Sequence, residues 1–323
     1  MRAARITAPG RIEVESIAVP EPGRSQVRVR IAGCGVCGSN LALWSGRPWF
    51  KYPAGAGEPG HEGWGFIDKV GADVKGLRLG ERVALLSGRA FAEYDIAEAD
   101  CLIAAPDNTT IFPGEALGCA MNIFGRCKIV SRQNVAVIGV GFLGALLVQL
   151  AVRRGARVIA ISRRPFALET AKRAGAQETL SLDDPQAVRA RVMELTGGVG
   201  CECVIEAAGA QESLDLAGEL VCVRGRLIIA GYHQDSPRQV NMQLWNWRGI
   251  DVINAHERDP HRYVAGMRAA AKQISKGTLD PGPLYSHGFP LDSIAAAFNA
   301  LEQRPQGFLK AWVYPGGGES IHQ

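Results

Sequence analysis

The chain carries little net charge and has no long hydrophobic run. Its 323 residues sum to a formal charge of +4 at pH 7 without an extended basic tract, so we expect neither nucleic acid nor an anionic membrane as a partner. No stretch approaches the roughly 20 apolar residues of a membrane-spanning helix. The first residues lead into a strand-like pattern where a signal peptide would have an apolar core, which favours a cytoplasmic protein.

The eight cysteines lack the density and regular spacing of a disulfide framework. In a reducing compartment we therefore expect free thiols. A structural zinc knuckle needs two close cysteine pairs. Cys34 and Cys37 make one such pair, but Cys201 and Cys203 lie one residue apart and do not supply the second.

Length and the placement of turns indicate two domains. Residues 1 to about 110 are rich in glycine and proline, and the alternating stretch 24–31 is typical of a half-buried strand, so a barrel-like or sandwich-like β module is predicted. Near residue 113 short apolar runs begin to alternate with helical stretches, which indicates a parallel sheet covered on both faces. The last part, with a helix near 294–301 and a strand at 309–314, has no sheet of its own, and we expect it to return to the first module.

A glycine-rich turn follows the buried apolar run 135–138 and opens a helical stretch, which is the context that a dinucleotide-binding turn requires. Gly139 permits the tight turn, Gly141 lets the backbone approach a pyrophosphate, and Gly144 lets the helix pack close to the sheet. The alternative is a strand-to-helix turn without a ligand. The residues expected to bind the coenzyme here are Gly139, Gly141, Phe142, Leu143 and Gly144.

The end of the next strand distinguishes the two nicotinamide coenzymes. NAD enzymes usually place a carboxylate there to bind the adenosine ribose, whereas this chain has Ser162, Arg163 and Arg164. A hydroxyl and a guanidinium attract a 2′-phosphate that a carboxylate would repel. We therefore predict NADP, with NAD as the alternative if both arginines are only solvated surface charges.

Three residues upstream of this turn are candidate ligands of a catalytic zinc: Cys37, His61 and Cys119. Catalytic zinc typically takes three protein ligands and keeps a fourth position open for water or substrate. Spacing alone does not bring the three together. His61 could equally be a surface or capping residue. Cys34 and Cys37 could be an incidental pair.

The motifs of this chain, and their order, resemble those of the zinc-dependent medium-chain dehydrogenase/reductases, the superfamily of alcohol and polyol dehydrogenases. The resemblance covers nearly the whole chain and rests on five segments. They are Cys-Gly-Val-Cys-Gly-Ser at 34–39, Gly-His-Glu-Gly at 60–63, Gly-Glu-Arg-Val at 80–83, Gly-Cys-Ala at 118–120 and Val-Ile-Gly-Val-Gly-Phe-Leu-Gly at 137–144.

The resemblance implies an α/β protein in which a GroES-like, β-rich catalytic domain accompanies a Rossmann domain with a doubly wound parallel sheet. The catalytic domain is expected at 1–121 and the Rossmann domain at 122–256. A C-terminal segment, 257–323, is expected to return to the catalytic domain. A homodimer or homotetramer is implied as well.

The resemblance also implies that Cys37, His61 and Cys119 bind the catalytic zinc. Glu62 is expected to lie beside the ion, where it can enter the coordination shell. In the polyol branch, glutamate or water can take the third ligand position, so Glu115 is the reserve candidate if Cys119 points away.

Three departures from the family pattern matter. The lobe of four closely spaced cysteines that often holds a structural zinc is missing after 80–83, so one catalytic zinc per chain is predicted and no structural zinc. Asn40 stands where the family commonly has aspartate, so the electrostatics around the ligands differ. Ala42 stands where a relay histidine is often found, so the proton is expected to leave through water or another group.

The candidate zinc ligands and the coenzyme turn together predict hydride transfer between NADP(H) and an alcohol or polyol, or the corresponding carbonyl. Zinc would act as the Lewis acid at the substrate oxygen, and the Ser39 hydroxyl is expected to carry the proton. The residues expected to take part in catalysis are Ser39, Cys37, His61 and Glu62. Two alternatives stay open: a zinc-free enone or quinone reductase of the same superfamily, and a sensor that binds NADP without turnover.

Overall fold

The computed structural model describes residues 1–316, which divide into two compact units. Met1–Cys119 and the segment from Arg258 onward form the first unit, and Ala120–Glu257 forms the second. Residues 317–323, the end of the predicted C-terminal segment, lie outside the described residues. No helix in the described part of the chain combines the length and apolarity needed to cross a membrane.

The strands, in chain order, are β1 (Arg2–Ala8), β2 (Arg11–Ser16), β3 (Gln26–Val36), β4 (Glu62–Val70), β5 (Arg82–Leu85), β6 (Tyr94–Glu98), β7 (Leu102–Ala104), β8 (Asn134–Ile138), β9 (Arg157–Ser162), β10 (Glu178–Ser181), β11 (Cys201–Glu206), β12 (Val221–Ile229), β13 (Asp251–Asn254), β14 (Tyr285–Pro290) and β15 (Lys310–Tyr314). The α-helices are α1 (Leu41–Trp44), α2 (Gly114–Cys127), α3 (Phe142–Arg153), α4 (Pro165–Arg173), α5 (Pro185–Leu195), α6 (Gln211–Leu220), α7 (Met242–Arg248), α8 (Pro260–Ser275) and α9 (Ile294–Gln303). Short 3₁₀ helices lie at Gly38–Asn40, Ala99–Cys101, Gly282–Leu284 and Leu291–Ser293.

The first unit is built on a seven-stranded sheet. Its strand order is β14-β15-β3-β4-β5-β7, with β6 also paired to β3, and β1 and β2 form a separate antiparallel pair. The C-terminal strand β15 runs antiparallel to β3, with Ala311 opposite Val36. The tail therefore completes the sheet of the first unit, because β6 pairs with only the 26–30 part of β3 on the side away from β4 and leaves 34–36 for β15.

Aromatic side chains fill the core of the first unit. Phe298 on α9 packs against Trp44 of α1 with ring centroids 5.0 Å apart, and against Phe91 at 5.8 Å. All three rings are buried. Burying a side chain of this size stabilises the fold by about 1.5–3 kcal/mol, so the cluster anchors the C-terminal helix to the N-terminal sheet.

The second unit is a six-stranded parallel sheet in the order β10-β9-β8-β11-β12-β13. Every residue of Val135–Ile138 is buried, as expected of a strand that helices cover on both faces. The strand order reverses between β8 and β11, and ligands of such sheets bind in the crevice at the carboxyl ends of the strands at this reversal. The predicted fold class, a β-rich unit with a doubly wound α/β unit, is confirmed.

Candidate active site

Three donor atoms of the first unit converge at one end of its sheet. Cys37 follows directly after β3, His61 directly precedes β4, and Glu62 is the first residue of β4. The two strands are antiparallel neighbours with Gly35 opposite Glu62, so the end of one meets the beginning of the other. The Cys37 sulfur, a His61 ring nitrogen and a Glu62 carboxylate oxygen all lie within 4.8 Å of one another.

A buried asparagine ties the two ligand-bearing segments together. The Asn40 side-chain oxygen accepts a hydrogen bond from the Cys37 backbone N–H at 2.9 Å, and its amide nitrogen donates to the Pro59 carbonyl at 3.2 Å. The Pro59 carbonyl also accepts from His61 Nδ1 at 2.8 Å. Because Nδ1 carries a proton in that bond, Nε2 faces the cluster as the nitrogen able to bind a metal.

The His61 ring lies in a negatively charged environment. Burial lowers the pKa of His61. A side-chain hydrogen bond with Cys37 and the charges of Cys37, Glu115 and Glu62 raise it by more, so the net pKa is about 10. The ring is therefore protonated at neutral pH when no metal is bound. A metal ion at this position must displace that proton, because only neutral imidazole is a ligand.

Glu62 is held by a buried lysine from the far end of the chain. Lys310, the first residue of β15, places its Nζ 2.7 Å from Oε1 and 2.5 Å from Oε2 of Glu62. The two side chains are 6% and 1% exposed. Burial lowers the pKa of Lys310, but the Glu62 charge outweighs it and the net direction is upward. The pair thereby fixes the Glu62 carboxyl group beside Cys37 and His61.

Helix α2 carries the two other candidate ligands, Glu115 and Cys119. The Glu115 carboxylate lies 4.0 Å from His61 Nε2, and burial raises its pKa to about 7 although the His61 charge lowers it. Among the described residues, the metal-competent cluster consists of Cys37, His61 and Glu62, and Cys119 is not part of it. Burial, followed by the charge of Glu115, raises the pKa of the Cys119 thiol well above its ordinary value.

Ser39 lies in the 3₁₀ turn two residues after Cys37 and is partly buried. The turn is closed by the hydrogen bond from the Cys37 N–H to the Asn40 side chain, so Ser39 is held within the segment that carries Cys37. A hydroxyl there can exchange protons with a group bound at the cluster and with solvent.

The coenzyme turn of the second unit joins β8 to α3. Gly139 has a φ of +94°, which favours glycine, and a Cβ on Gly144 would lie 2.0 Å from the Gly139 carbonyl oxygen. A Cβ on Gly141 would meet no atom within 4 Å, so this residue faces open space at the N-terminus of α3. Phe142 and Leu143 form the first turn of that helix, and the N–H groups of a helix N-terminus suit a phosphate.

The two arginines after β9 differ in their contacts. Arg164 donates from its guanidinium to the Val140 carbonyl at 3.3 Å and so ties the segment to the coenzyme turn. Its backbone N–H donates to the buried Ser162 hydroxyl at 3.3 Å. Arg163 is exposed. Arg164 thus supports the turn, whereas the Arg163 side chain is open to solvent.

Sequence reasoning missed a network around the buried Glu206 at the end of β11. One carboxylate oxygen accepts from the Ala208 and Gly209 backbone N–H groups at 2.8 and 2.7 Å. The other lies 2.9 Å from His233 Nε2, and His233 Nδ1 accepts from Arg238 at 2.8 Å. This network fixes the loops beside the coenzyme turn, since the Ala208 nitrogen would lie only 2.7 Å from a Cβ at Gly139.

Two family models match successive parts of the chain. The alcohol dehydrogenase GroES-like domain matches residues 23–138, and the zinc-binding dehydrogenase family matches residues 143–272. The chain belongs to the zinc-dependent medium-chain dehydrogenase/reductase superfamily. The family resemblance drawn from the sequence motifs is thereby confirmed.

Relatives of this medium-chain dehydrogenase/reductase extend over almost its whole length. Human sorbitol dehydrogenase is 25% identical over 92% of both chains, and an alcohol dehydrogenase of Cupriavidus necator is 26% identical over 98% of this chain and 99% of its own. The solved structure of Escherichia coli galactitol-1-phosphate dehydrogenase superposes with a TM-score of 0.84 at 24% identity, covering 98% of this chain and all of the other. The structural likeness supports the fold.

Proposed function

We propose that the protein is a zinc-dependent oxidoreductase that transfers hydride between NADP(H) and an alcohol or polyol, or the corresponding carbonyl. The observation that carries the proposal is the convergence of Cys37, His61 and Glu62 at one end of the first sheet. Family membership supports the oxidoreductase class. Two of the compared proteins are named for polyols, sorbitol and galactitol 1-phosphate, which supports the substrate class.

The donor set fits zinc. One thiol sulfur, one imidazole nitrogen and one carboxylate oxygen are ligands that zinc accepts, and three protein ligands leave a position open for substrate. With bonds of about 2.0–2.3 Å, a tetrahedral ion holds its donors roughly 3.5 Å apart, so small side-chain rotations from the present separations suffice. Glu115 and Cys119 are the further candidates for the coordination shell.

When bound, zinc supplies a Lewis acid that stabilises negative charge on the substrate oxygen. The residues around it do the rest. Asn40 and the Pro59 carbonyl hold His61 in the tautomer that presents Nε2, and Lys310 fixes the position of the Glu62 carboxyl group. The Ser39 hydroxyl passes the proton between the substrate oxygen and solvent.

The coenzyme is proposed to lie on the turn formed by Gly139, Gly141 and Gly144. Its pyrophosphate would occupy the open space at Gly141 and accept hydrogen bonds from the first turn of α3. Arg163 would bind the 2′-phosphate of NADP. We further propose a cytoplasmic homodimer or homotetramer.

The test is metal analysis of the purified protein, followed by chelation and by the variants Cys37→Ala and His61→Ala. We expect about one zinc per chain, loss of turnover on chelation or in either variant, and unchanged coenzyme affinity by calorimetry. Cys101→Ala is the matched control, because Cys101 lies outside the cluster, and it should keep both metal and turnover. Full turnover after complete removal of metal would refute the proposal.

A further inference from the structure

The segment 230–241 joins β12 to α7 at the carboxyl end of the second unit's sheet. Because β11 and β12 are parallel neighbours, this segment and the segment 207–210 after β11 leave the sheet at the same edge. The coenzyme turn begins at that edge as well, since the Ala207 N–H donates to the Ile138 carbonyl at 2.8 Å. The two segments therefore lie beside the coenzyme turn.

Arg238 links these two segments. Its Nε donates to His233 Nδ1 at 2.8 Å, and its Nη2 donates to the Gly209 carbonyl at 2.9 Å. The same guanidinium binds the Asp235 carboxylate and the Ser236 hydroxyl. The Arg238 side chain is only 12% exposed. Because a guanidinium presents several N–H donors in a fixed plane, this one side chain holds both segments at once.

His233 extends the link to the buried Glu206. Since His233 Nδ1 accepts from Arg238, the ring proton is on Nε2, which donates to the Glu206 carboxylate at 2.9 Å. The same carboxylate accepts from the Gly209 N–H and the Ser213 hydroxyl, each at 2.7 Å. Arg238 therefore holds the segment 207–210 both directly, at Gly209, and through the imidazole and the buried carboxylate.

Under the proposed function, these segments lie on the nicotinamide side of the coenzyme turn. The strand order β9-β8-β11-β12 places β11 and β12 on one side of that turn and β9, which Arg163 follows, on the other. A dinucleotide lies across such a crevice, with one half on each side of the turn. With the 2′-phosphate of the adenosine half at Arg163, the nicotinamide half lies toward 207–210 and 230–241.

We propose that Arg238 is a positioning residue that pre-forms the surface for the nicotinamide half of the coenzyme by tying 230–241 to 207–210. The inference rests on the proposed function and names the residue that sets the affinity for this half. Without the guanidinium, 230–241 must be ordered when the coenzyme binds, which weakens binding. The adenosine half, on the other side of the turn, keeps its contacts.

The test compares NADP⁺ with adenosine 2′,5′-bisphosphate, which carries only the adenosine half, in calorimetric titrations. In Arg238→Met we expect the Kd for NADP⁺ to rise at least about fivefold while that for the bisphosphate stays within about twofold. For a wild type that prefers NAD⁺, NAD⁺ and AMP take their places. Arg238→Lys keeps the charge but not the planar set of donors, so it should act in the same direction and carries the test if Arg238→Met fails to fold.

Arg248→Met is the matched control. The Arg248 guanidinium also joins backbone segments, since it donates to the Glu219 and Val221 carbonyls at 2.7 and 2.8 Å. Val221 is the first residue of β12, so these contacts lie at the end of the strand opposite to the crevice. Urea unfolding should show a loss of stability in both methionine variants, whereas only Arg238→Met should bind NADP⁺ more weakly.

Different failures have different meanings. Unchanged affinity for NADP⁺ in Arg238→Met, equal weakening of NADP⁺ and the bisphosphate, or the same loss of NADP⁺ affinity in Arg248→Met would overturn the role of Arg238. A wild-type protein that binds neither nicotinamide coenzyme would instead refute the proposed function on which the inference rests.

Discussion

In the first unit, we expect the largest loss of unfolding free energy from a single substitution at a buried charge pair. Lys310→Met leaves the Glu62 carboxylate buried without the partner that lies 2.5 Å away. Breaking a buried pair in this way costs about 3–5 kcal/mol. Urea unfolding of the metal-free protein should show this loss, and the double variant Glu62→Gln/Lys310→Met should recover part of it.

Lys69→Met is the matched control for that prediction. Lys69 pairs with Glu21 at 2.5 Å as well, but the two side chains are 51% and 65% exposed. Solvent screens such a pair, so we expect a much smaller loss of unfolding free energy than in Lys310→Met. Equal losses in the two lysine variants would show that burial does not decide the strength of these pairs.

Under the proposed function, coenzyme choice is expected to depend on a single residue, Arg163. Arg163→Ala removes an exposed guanidinium next to the coenzyme turn, and a hydrogen bond to a charged group contributes about 1.5–3 kcal/mol. Calorimetric titration should show the Kd for NADP rising at least about tenfold while that for NAD stays within about twofold. Arg157→Ala, at the opposite end of β9, is the control and should change neither value. Equal weakening of both coenzymes would contradict the assignment of the 2′-phosphate to Arg163.

Some site residues could be read from local sequence and others could not. Cys37, His61 and Glu62 stand in short glycine-containing motifs whose order along the chain marks them. Lys310 has no such signal, because its role depends on a partner remote in the chain: it meets Glu62 across 248 residues.

At the scale of elements, the turn between β8 and α3 allows two glycine substitutions to be compared. In Gly144→Ala the new methyl would lie 2.0 Å from the Gly139 carbonyl oxygen, so α3 must move from the sheet at a cost of about 1–3 kcal/mol. In Gly141→Ala the methyl meets no protein atom, so the free energy of unfolding should change by less than about 1 kcal/mol. The methyl would, however, occupy the space proposed for the pyrophosphate.

Denaturant unfolding and coenzyme titration of the two variants check this prediction. Gly141→Ala should stay stable and lose coenzyme affinity, whereas Gly144→Ala should lose stability. Undiminished NADP and NAD binding by Gly141→Ala would argue against the coenzyme lying on this turn.

Two elements of the C-terminal segment could be predicted from the sequence. The helix expected near 294–301 is α9, Ile294–Gln303. The strand expected at 309–314 is β15, Lys310–Tyr314. Its pairing with β3 is non-local, and the sequence pattern offered only the expectation that the tail would return to the first module.

At the scale of the whole molecule, Arg2 links the two ends of the described chain. Its guanidinium pairs with Glu93 at 3.0 Å and with Asp292 at 3.0 Å, so β1 is tied both to the sheet and to the C-terminal segment. Burial raises the pKa of Glu93, but the hydrogen bonds and the charge of Arg2 lower it by more than burial raises it. The pKa of Glu93 is therefore below its ordinary value.

This lowered pKa predicts a pH dependence of stability. The contribution of the Glu93 carboxylate is present above its ordinary pKa near 4.5 and is lost as the pH falls through the lower value of the folded state. At pH 7, Glu93→Gln should lose about 1 kcal/mol of unfolding free energy, and the difference from wild type should shrink below about pH 4.

Urea unfolding at several pH values tests this dependence. Glu169→Gln, in the exposed pair of Glu169 with Arg173, is the control and should lose less at pH 7. A difference between Glu93→Gln and wild type that stays constant from pH 7 to pH 3 would contradict the prediction.

The residues in order along the chain were enough to predict a β-rich unit, a doubly wound unit and the family, because each depends on local periodicity and on short motifs. Which donors share one cluster was decided only by folding. The antiparallel pairing of β3 with β4 brings Cys37 beside His61 and Glu62, and the pairing of β15 with β3 brings Lys310 to Glu62. Such contacts depend on side-chain packing between distant segments, which leaves no periodic trace in the sequence.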